Sequence, residues 1–126
     1  MVVDGLLYTK DHEWAKVDGD VATVGITDHA QEQLGELVFV ELPDVGKEFA
    51  ARKEIAVVES SKAAGDVYAP VAGKVTEVNE ELNTRPELIN EDCYAGGWIC
   101  KIQITDKAAL DGLMDAKQYK EYLETL

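Results

Sequence analysis

Short apolar, β-branched runs, broken every few residues by glycine, proline or aspartate, dominate this chain and point to a sheet protein. Val21–Ile26 is one such run, preceded by the turn Asp18-Gly-Asp20. Leu37-Val-Phe-Val-Glu-Leu42 is the strongest and is stopped by Pro43 and Gly46. Residues 54–59, 66–69, 74–78 and 98–104 repeat the pattern, with Pro70-Val-Ala-Gly73 between the second and third of them. Many short strands between turn signals predict a mainly β antiparallel sandwich or barrel.

Two segments depart from that rule. Asp28-His-Ala-Gln-Glu-Gln-Leu-Gly35 predicts a short helix near 28–34, with Asp28 as its cap, Gln31 completing a capping box and Gly35 ending it. Near the end, Asp106 can cap a short helix through Leu113 and Asp115 a second one, with Tyr119, Tyr122, Leu123 and Leu126 on one face. The 126 residues therefore read as one domain, with a β body over about 6–104 and a helical segment over about 106–125. The turn Pro43-Asp-Val-Gly46-Lys47 recurs as Pro70-Val-Ala-Gly73-Lys74, a shift of 27 residues. Taken as an internal repeat, it predicts two pseudo-symmetric halves.

Composition narrows the function. Twelve basic against 25 acidic residues leave a net charge of -13. Such a surface repels phosphate backbones and anionic lipid heads, so nucleic acid and membranes are poor partners and electropositive proteins good ones. No apolar run reaches the length of a membrane helix, and the first residues carry no secretory or organelle signal, which predicts a cytoplasmic protein. Cys93 and Cys100 make no disulfide framework; Cys100 reads as a small buried hydrophobe, and neither is expected to do redox work. His12 and His29 sit in no metal-ligand pattern, and no nucleophile elbow, P-loop or dinucleotide fingerprint occurs, so a metal site and ordinary enzyme chemistry are not expected.

One segment carries chemistry. Val57-Val-Glu-Ser-Ser-Lys62-Ala-Ala-Gly-Asp-Val-Tyr reads as a tight hairpin with one long side chain at its tip and only small residues around it. An exposed, unobstructed lysine suits a modification acceptor that must enter another enzyme's site. The residues by themselves leave an ordinary solvated turn lysine open as well.

Glu59-Ser-Ser-Lys62-Ala-Ala-Gly-Asp66-Val-Tyr-Ala-Pro-Val-Ala-Gly73 resembles the lipoyl-lysine segment of the glycine cleavage system H protein family. Gly25-Ile-Thr-Asp-His-Ala-Gln-Glu-Gln-Leu-Gly35, Val38-Phe-Val-Glu-Leu-Pro43, His12-Glu-Trp14 and Pro86-Glu-Leu-Ile-Asn-Glu-Asp92 with Gly97-Trp98 resemble the same family, in order, from about residue 6 to 122. The resemblance implies a lipoyl-domain-like hybrid barrel-sandwich and a carrier that is not itself an enzyme. Lys62 would bear lipoic acid in amide linkage, and the dithiolane at the end of the arm would do the chemistry. The arm would take an aminomethyl group from the pyridoxal-phosphate glycine decarboxylase (P protein). It would pass the group to the tetrahydrofolate-dependent aminomethyltransferase (T protein) and be reoxidised by lipoamide dehydrogenase (L protein). A lipoate ligase or octanoyltransferase would attach the group, and the carrier would be a monomer.

The resemblance also implies that Glu59, Gly46 and Gly73 are positions the attaching enzyme reads. For the two glycines, plain turn geometry at positive φ is an equal explanation. It further implies that Glu13 and Asp66 belong to an acidic cleft that shelters the loaded arm; for each, a solvated surface charge stays open. Gln33 stands where some relatives carry histidine, and Ser61, Cys93, Ala95 and Cys100 also depart from the common pattern. Trp14 and Trp98 are expected in the core. Two other Lys62-dependent readings are weighed: a relay that hands lipoyl or octanoyl groups to 2-oxoacid dehydrogenase subunits, and a biotin carrier, which would want Met where Ser61 and Ala63 stand. An unmodified interaction scaffold is the fourth.

Overall fold

The computed structural model describes residues 2–126. Nine strands run β1 (Leu7–Tyr8), β2 (Glu13–Asp18), β3 (Val21–Ile26), β4 (Leu37–Glu41), β5 (Glu48–Phe49), β6 (Glu54–Ser60), β7 (Ala64–Tyr68), β8 (Gly73–Val78) and β9 (Cys100–Ile104). Three α-helices accompany them: α1 (Asp28–Leu34), α2 (Leu88–Asp92) and α3 (Ala116–Leu123). Six strands form one antiparallel sheet in the order β1-β2-β3-β9-β8-β5, and β4-β6-β7 form the other. Buried residues of both, among them Val24, Val75 and Ile102 on one side and Val40, Val58 and Val67 on the other, share a single apolar cluster. This is the mainly β, two-sheet architecture that the short alternating runs predicted.

The 27-residue repeat corresponds to a repeated structural unit. β4 and β7 stand 27 positions apart and flank β6 on either side. The two similar turns lead out of them into β5 and β8, which pair with each other, Glu48 opposite Lys74 and Phe49 opposite Gly73. Between the sheets the chain bends at Ala50–Lys53. There the Arg52 N–H donates to the Ala69 carbonyl and the Ala69 N–H to the Lys53 carbonyl, both at 2.8 Å. The β5–β8 pair and the β6–β7 pair are thus two stretches of one long hairpin folded across two sheets.

The two repeat glycines serve different ends. Gly46 has φ +93°, which L side chains rarely adopt, and its N–H donates to the Val75 carbonyl at 2.7 Å. Gly73 is not at positive φ, contrary to expectation. What requires glycine there is space: a Cβ would stand 2.3 Å from the Gln103 carbonyl oxygen and 2.4 Å from Ile102 Cγ2.

Other differences are local. The N-cap of α1 is Thr27, whose hydroxyl accepts from the Ala30 N–H at 3.3 Å; Asp28 is the first helical residue. Gln31 consequently falls one place too late for a capping box and donates to the Asp28 carboxylate instead. The last strand begins at Cys100, two residues later than its pattern suggests. The segment capped by Asp106 is a 3₁₀ turn, Lys107–Gly112. α3 has its capping box, Asp115 with Gln118, and buries Tyr119, but Leu126 lies beyond the helix and is 64% exposed. A second apolar cluster anchors α3, where Tyr8 and Tyr119 stack at 4.5 Å with rings 2° from parallel. Trp14 belongs to that cluster and donates from Nε1 to the Cys93 carbonyl at 3.0 Å.

Candidate functional site

β6 and β7 join through the shortest connection in the three-stranded sheet, and Lys62 stands at its apex. Ser60 builds the turn. Its backbone N–H donates to the Ala63 carbonyl at 2.8 Å, while its hydroxyl accepts from the Ala63 N–H at 3.0 Å and the Lys62 N–H at 3.3 Å. A serine that satisfies the turn's own donors leaves the apex with no need of tertiary support. Ser60 was singled out by size alone; a serine that precedes a three-residue tip is the signal that could have found this role.

Lys62 is exposed and leans toward the end of α1. Its Cε and Nζ lie 2.9 and 3.5 Å from where a Cβ on Gly35 would stand. Gly35, at φ +85°, closes α1 by donating to the Gln31 carbonyl at 2.9 Å. The bare backbone there is the seat on which the lysine lies.

Asn90 of α2 holds that seat, and nothing in the sequence pattern singled it out. Its Nδ2 donates to the Gly35 carbonyl at 2.8 Å and to Gln31 Oε1 at 2.9 Å, and its Oδ1 accepts from the Leu37 N–H at 2.8 Å. One amide thus ties α1, α2 and the start of β4 together. Beside it opens a shallow depression of about 410 Å³ whose lining includes the carboxylates Glu32, Glu36, Glu87 and Glu91.

Glu13 and Asp66 each meet Tyr68, Glu13 at its backbone N–H and Asp66 at its phenol. Glu13 is 1% exposed, so its carboxyl is a core group and not a solvated one. Oε1 accepts from the Thr9 hydroxyl and Oε2 from the Tyr68 N–H at 3.3 Å. Burial pushes this carboxyl up to about 7, although the Thr9 and Tyr68 hydrogen bonds pull the other way. Asp66 is exposed on β7, and its carboxylate holds the Tyr68 phenol above its usual value. Glu59 is exposed at the tip end of β6, opposite Ala64. Gly46 and Gly73 lie in the other sheet's part of the long hairpin, at its far end from Lys62.

The turn before Glu13 is also fixed. His12 has φ +69°, Nδ1 meets the Tyr119 hydroxyl at 2.8 Å, and that hydroxyl meets Thr27 Oγ1 at 2.8 Å. α3 is thereby tied to the residue preceding Glu13 and to the cap of α1. Both cysteines are buried, and burial pushes each thiol up to about 12, which makes thiolate chemistry at neutral pH negligible. Among the described residues no group of three or more His, Cys, Asp or Glu could hold a metal ion, and no helix is long and apolar enough to cross a membrane.

Residues 6–126 match the family model described as glycine cleavage H-protein. The glycine cleavage system H protein of Halothermothrix orenii is 56% identical over 123 residues, covering 98% of this chain and 96% of the relative. That of Thermotoga maritima is 54% identical over 115 residues, covering 91% and 93%. The crystal structure of a glycine cleavage system H protein from Mycobacterium marinum superposes with a TM-score of 0.89 at 37% identity, over 99% of this chain and 100% of that one.

Proposed function

The chain belongs to the glycine cleavage H-protein family, the lipoyl carriers of the glycine cleavage system, and we propose that it bears its lipoyl group as an amide on Lys62. The observation that carries this reading is the apex itself: an exposed lysine between small residues, on a turn that Ser60 completes without help from the rest of the fold. An acyl group on Nζ meets no bulky neighbour there. When attached, the group supplies a dithiolane whose sulfurs carry the reactive chemistry.

The protein's own residues supply position and field. The hairpin holds the root of the arm still while the lysine stem stays mobile, so each partner meets the arm at high local concentration, on the order of millimolar for a short flexible tether. Gly35 offers bare backbone on which the stem can rest. The carboxylates beside it make the resting place electronegative, which suits a cationic cargo. Asp66, exposed on β7, adds a carboxylate near the same hairpin, and the buried Glu13 holds the hairpin's Tyr68 backbone in place. We propose a non-catalytic, single-domain, monomeric carrier in the cytoplasm. It meets glycine decarboxylase, the aminomethyltransferase and lipoamide dehydrogenase in turn, after a lipoate ligase or octanoyltransferase has attached the group. Glu59, Gly46 and Gly73 are proposed as positions that the attaching enzyme reads, with the steric need at Gly73 acting alongside.

The test is an intact mass of protein made in a lipoate-replete host, followed by peptide mapping. A single lipoyl or octanoyl adduct on Lys62 is expected. An unmodified Lys62 in the presence of a competent ligase, or an adduct on another lysine, overturns the assignment.

A further inference from the structure

The outer face of the three-stranded sheet is solvated, and its register shows what it presents. Phe39, Glu59 and Ala64 stand in one row across β4, β6 and β7. Glu41, Val57 and Asp66 stand in the next outward-facing row. Residues directly opposite in antiparallel strands share a face, and alternate rows point the same way. The row between them, Val40, Val58 and Gly65, turns inward, with both valines buried.

β4 is an edge strand, and its register shifts between Leu37 and Phe39. The bulge breaks the alternation, so two consecutive apolar residues reach solvent, Val38 at 59% and Phe39 at 51% exposed. An apolar pair on a sheet edge is a liability that folded proteins ordinarily cover or charge. Here Glu59 stands opposite Phe39, Glu41 lies two residues further along β4 and Asp66 shares the Glu41 row on β7, and among the described residues none of the three closes an ion pair. An aromatic anchor at the edge of a face carrying unneutralised carboxylates is complementary to an apolar pocket with a basic rim.

The position of this face says which partner meets it. Leu37 pairs with Ser60, the residue that builds the Lys62 turn, and the Lys62 amine lies over Gly35, two residues before β4 begins. Enzymes that act on the far end of a modified arm can stand an arm's length from the hairpin. The enzyme that acylates Lys62 must reach Nζ itself and so must cover the surface around the tip.

We propose that the Val38–Phe39 edge and the acidic outer face of β4-β6-β7 form the docking surface for the acyl-transferring enzyme that modifies Lys62, with Phe39 as the anchor in a basic-rimmed apolar pocket. This rests on the assignment of Lys62 as the acylated residue. In the step served, the neutral Lys62 amine attacks the carbonyl of an acyl adenylate held by the partner. The C–N bond forms, the bond to the phosphate oxygen breaks, AMP leaves, and the surplus amine proton passes to water.

The experiment measures kcat/KM for acylation of the full unmodified protein by a purified lipoate ligase supplied with lipoate and ATP. Phe39→Ala is expected to lower kcat/KM more than tenfold, mainly through KM, with an unchanged melting temperature because the side chain is half exposed. Glu41→Lys is expected to lower kcat/KM and to flatten its decline with salt. Leu126→Ser, at an exposed apolar residue beyond α3 and outside both sheets, is expected to match the parent protein. Equal kcat/KM for Phe39→Ala and the parent overturns the docking surface while leaving Lys62 in place. A parent protein that is never acylated at Lys62 overturns the underlying assignment instead. A parent that sizes as a dimer, with Phe39→Ala a monomer, overturns the proposal in favour of a second copy on this face.

Discussion

The buried carboxyl of Glu13 should make this protein less stable as the solution becomes more alkaline, and Glu13→Gln should abolish that dependence. The folded protein holds a proton on Glu13 with a value of about 7 against 4.5 for the free group. Native protein therefore binds more protons here than unfolded chain between those values, and stability falls as pH rises through the window. The favourable contribution is fully present below about 4.5 and lost above about 7. The gap corresponds to ~3 kcal/mol, and for a chain of this length to ~12 °C in melting temperature. Glutamine keeps the shape and an acceptor for one of the two donors, Thr9 and Tyr68, while carrying no charge to bury. Its cost is a constant offset that does not vary with pH. The assay is denaturant unfolding of both proteins at intervals from pH 5 to pH 8.5. The stability of the parent relative to the variant should fall by ~2.5 kcal/mol over that range, the rest of the gap lying below pH 5. Parallel curves would refute the reasoning. A relative gain for the parent with rising pH would refute it more strongly, because it would mean that Thr9, Tyr68 and Arg52 stabilise the anion beyond the cost of burying it.

Lys62→Arg should melt with the parent protein, since the residue is exposed, yet carry no acyl adduct and support no glycine–bicarbonate exchange, because a guanidinium keeps the charge but does not form the amide; retained exchange would sink the assignment. Gly73→Ala should destabilise by about 3 kcal/mol or more, because its Cβ meets backbone at 2.3 Å, and Gly46→Ala by only ~1–2 kcal/mol, because space is open and only φ is strained. Thermal melts that rank the two in the opposite order would contradict this account of the turns. Asn90→Ala should cost ~2–3 kcal/mol, since it leaves the Leu37 N–H and the Gly35 carbonyl without their partner. It should also speed amide exchange at the C-terminal end of α1, and a denaturation midpoint equal to the parent's would show the staple to be dispensable.

Strands β3, β4, β6, β7, β8 and β9, the helix near residue 28, the capped C-terminal helix and the hairpin bearing Lys62 were legible because each is a local matter. Alternation, β-branching and turn residues act over a few positions, and the chain states them directly. Strands β1, β2 and β5 were not legible: β1 and β5 because two residues carry no period, and β2 because its first three residues, Glu13, Trp14 and Ala15, are all buried and break the alternation. Neither was the shift of the α1 cap from Asp28 to Thr27, since adjacent residues can both cap and only the direction of chain entry chooses between them.

The sequence by itself determined a two-sheet β protein with an exposed lysine at a tight hairpin tip, and which family to compare it with. Only the tertiary structure decided that Glu13 is buried and, among the described residues, closes no ion pair, that Gly73 is needed for space and not for φ, that Asn90 ties three elements around Gly35, and that a bulge turns Val38 and Phe39 both outward. Each of these depends on which distant segment arrives at a residue: Tyr68 on Glu13, the β9 backbone on Gly73, α2 on Gly35, β6 against β4. Local propensity encodes the elements, whereas burial, close approach and hydrogen-bond partnership are properties of pairs that only the packed chain brings together.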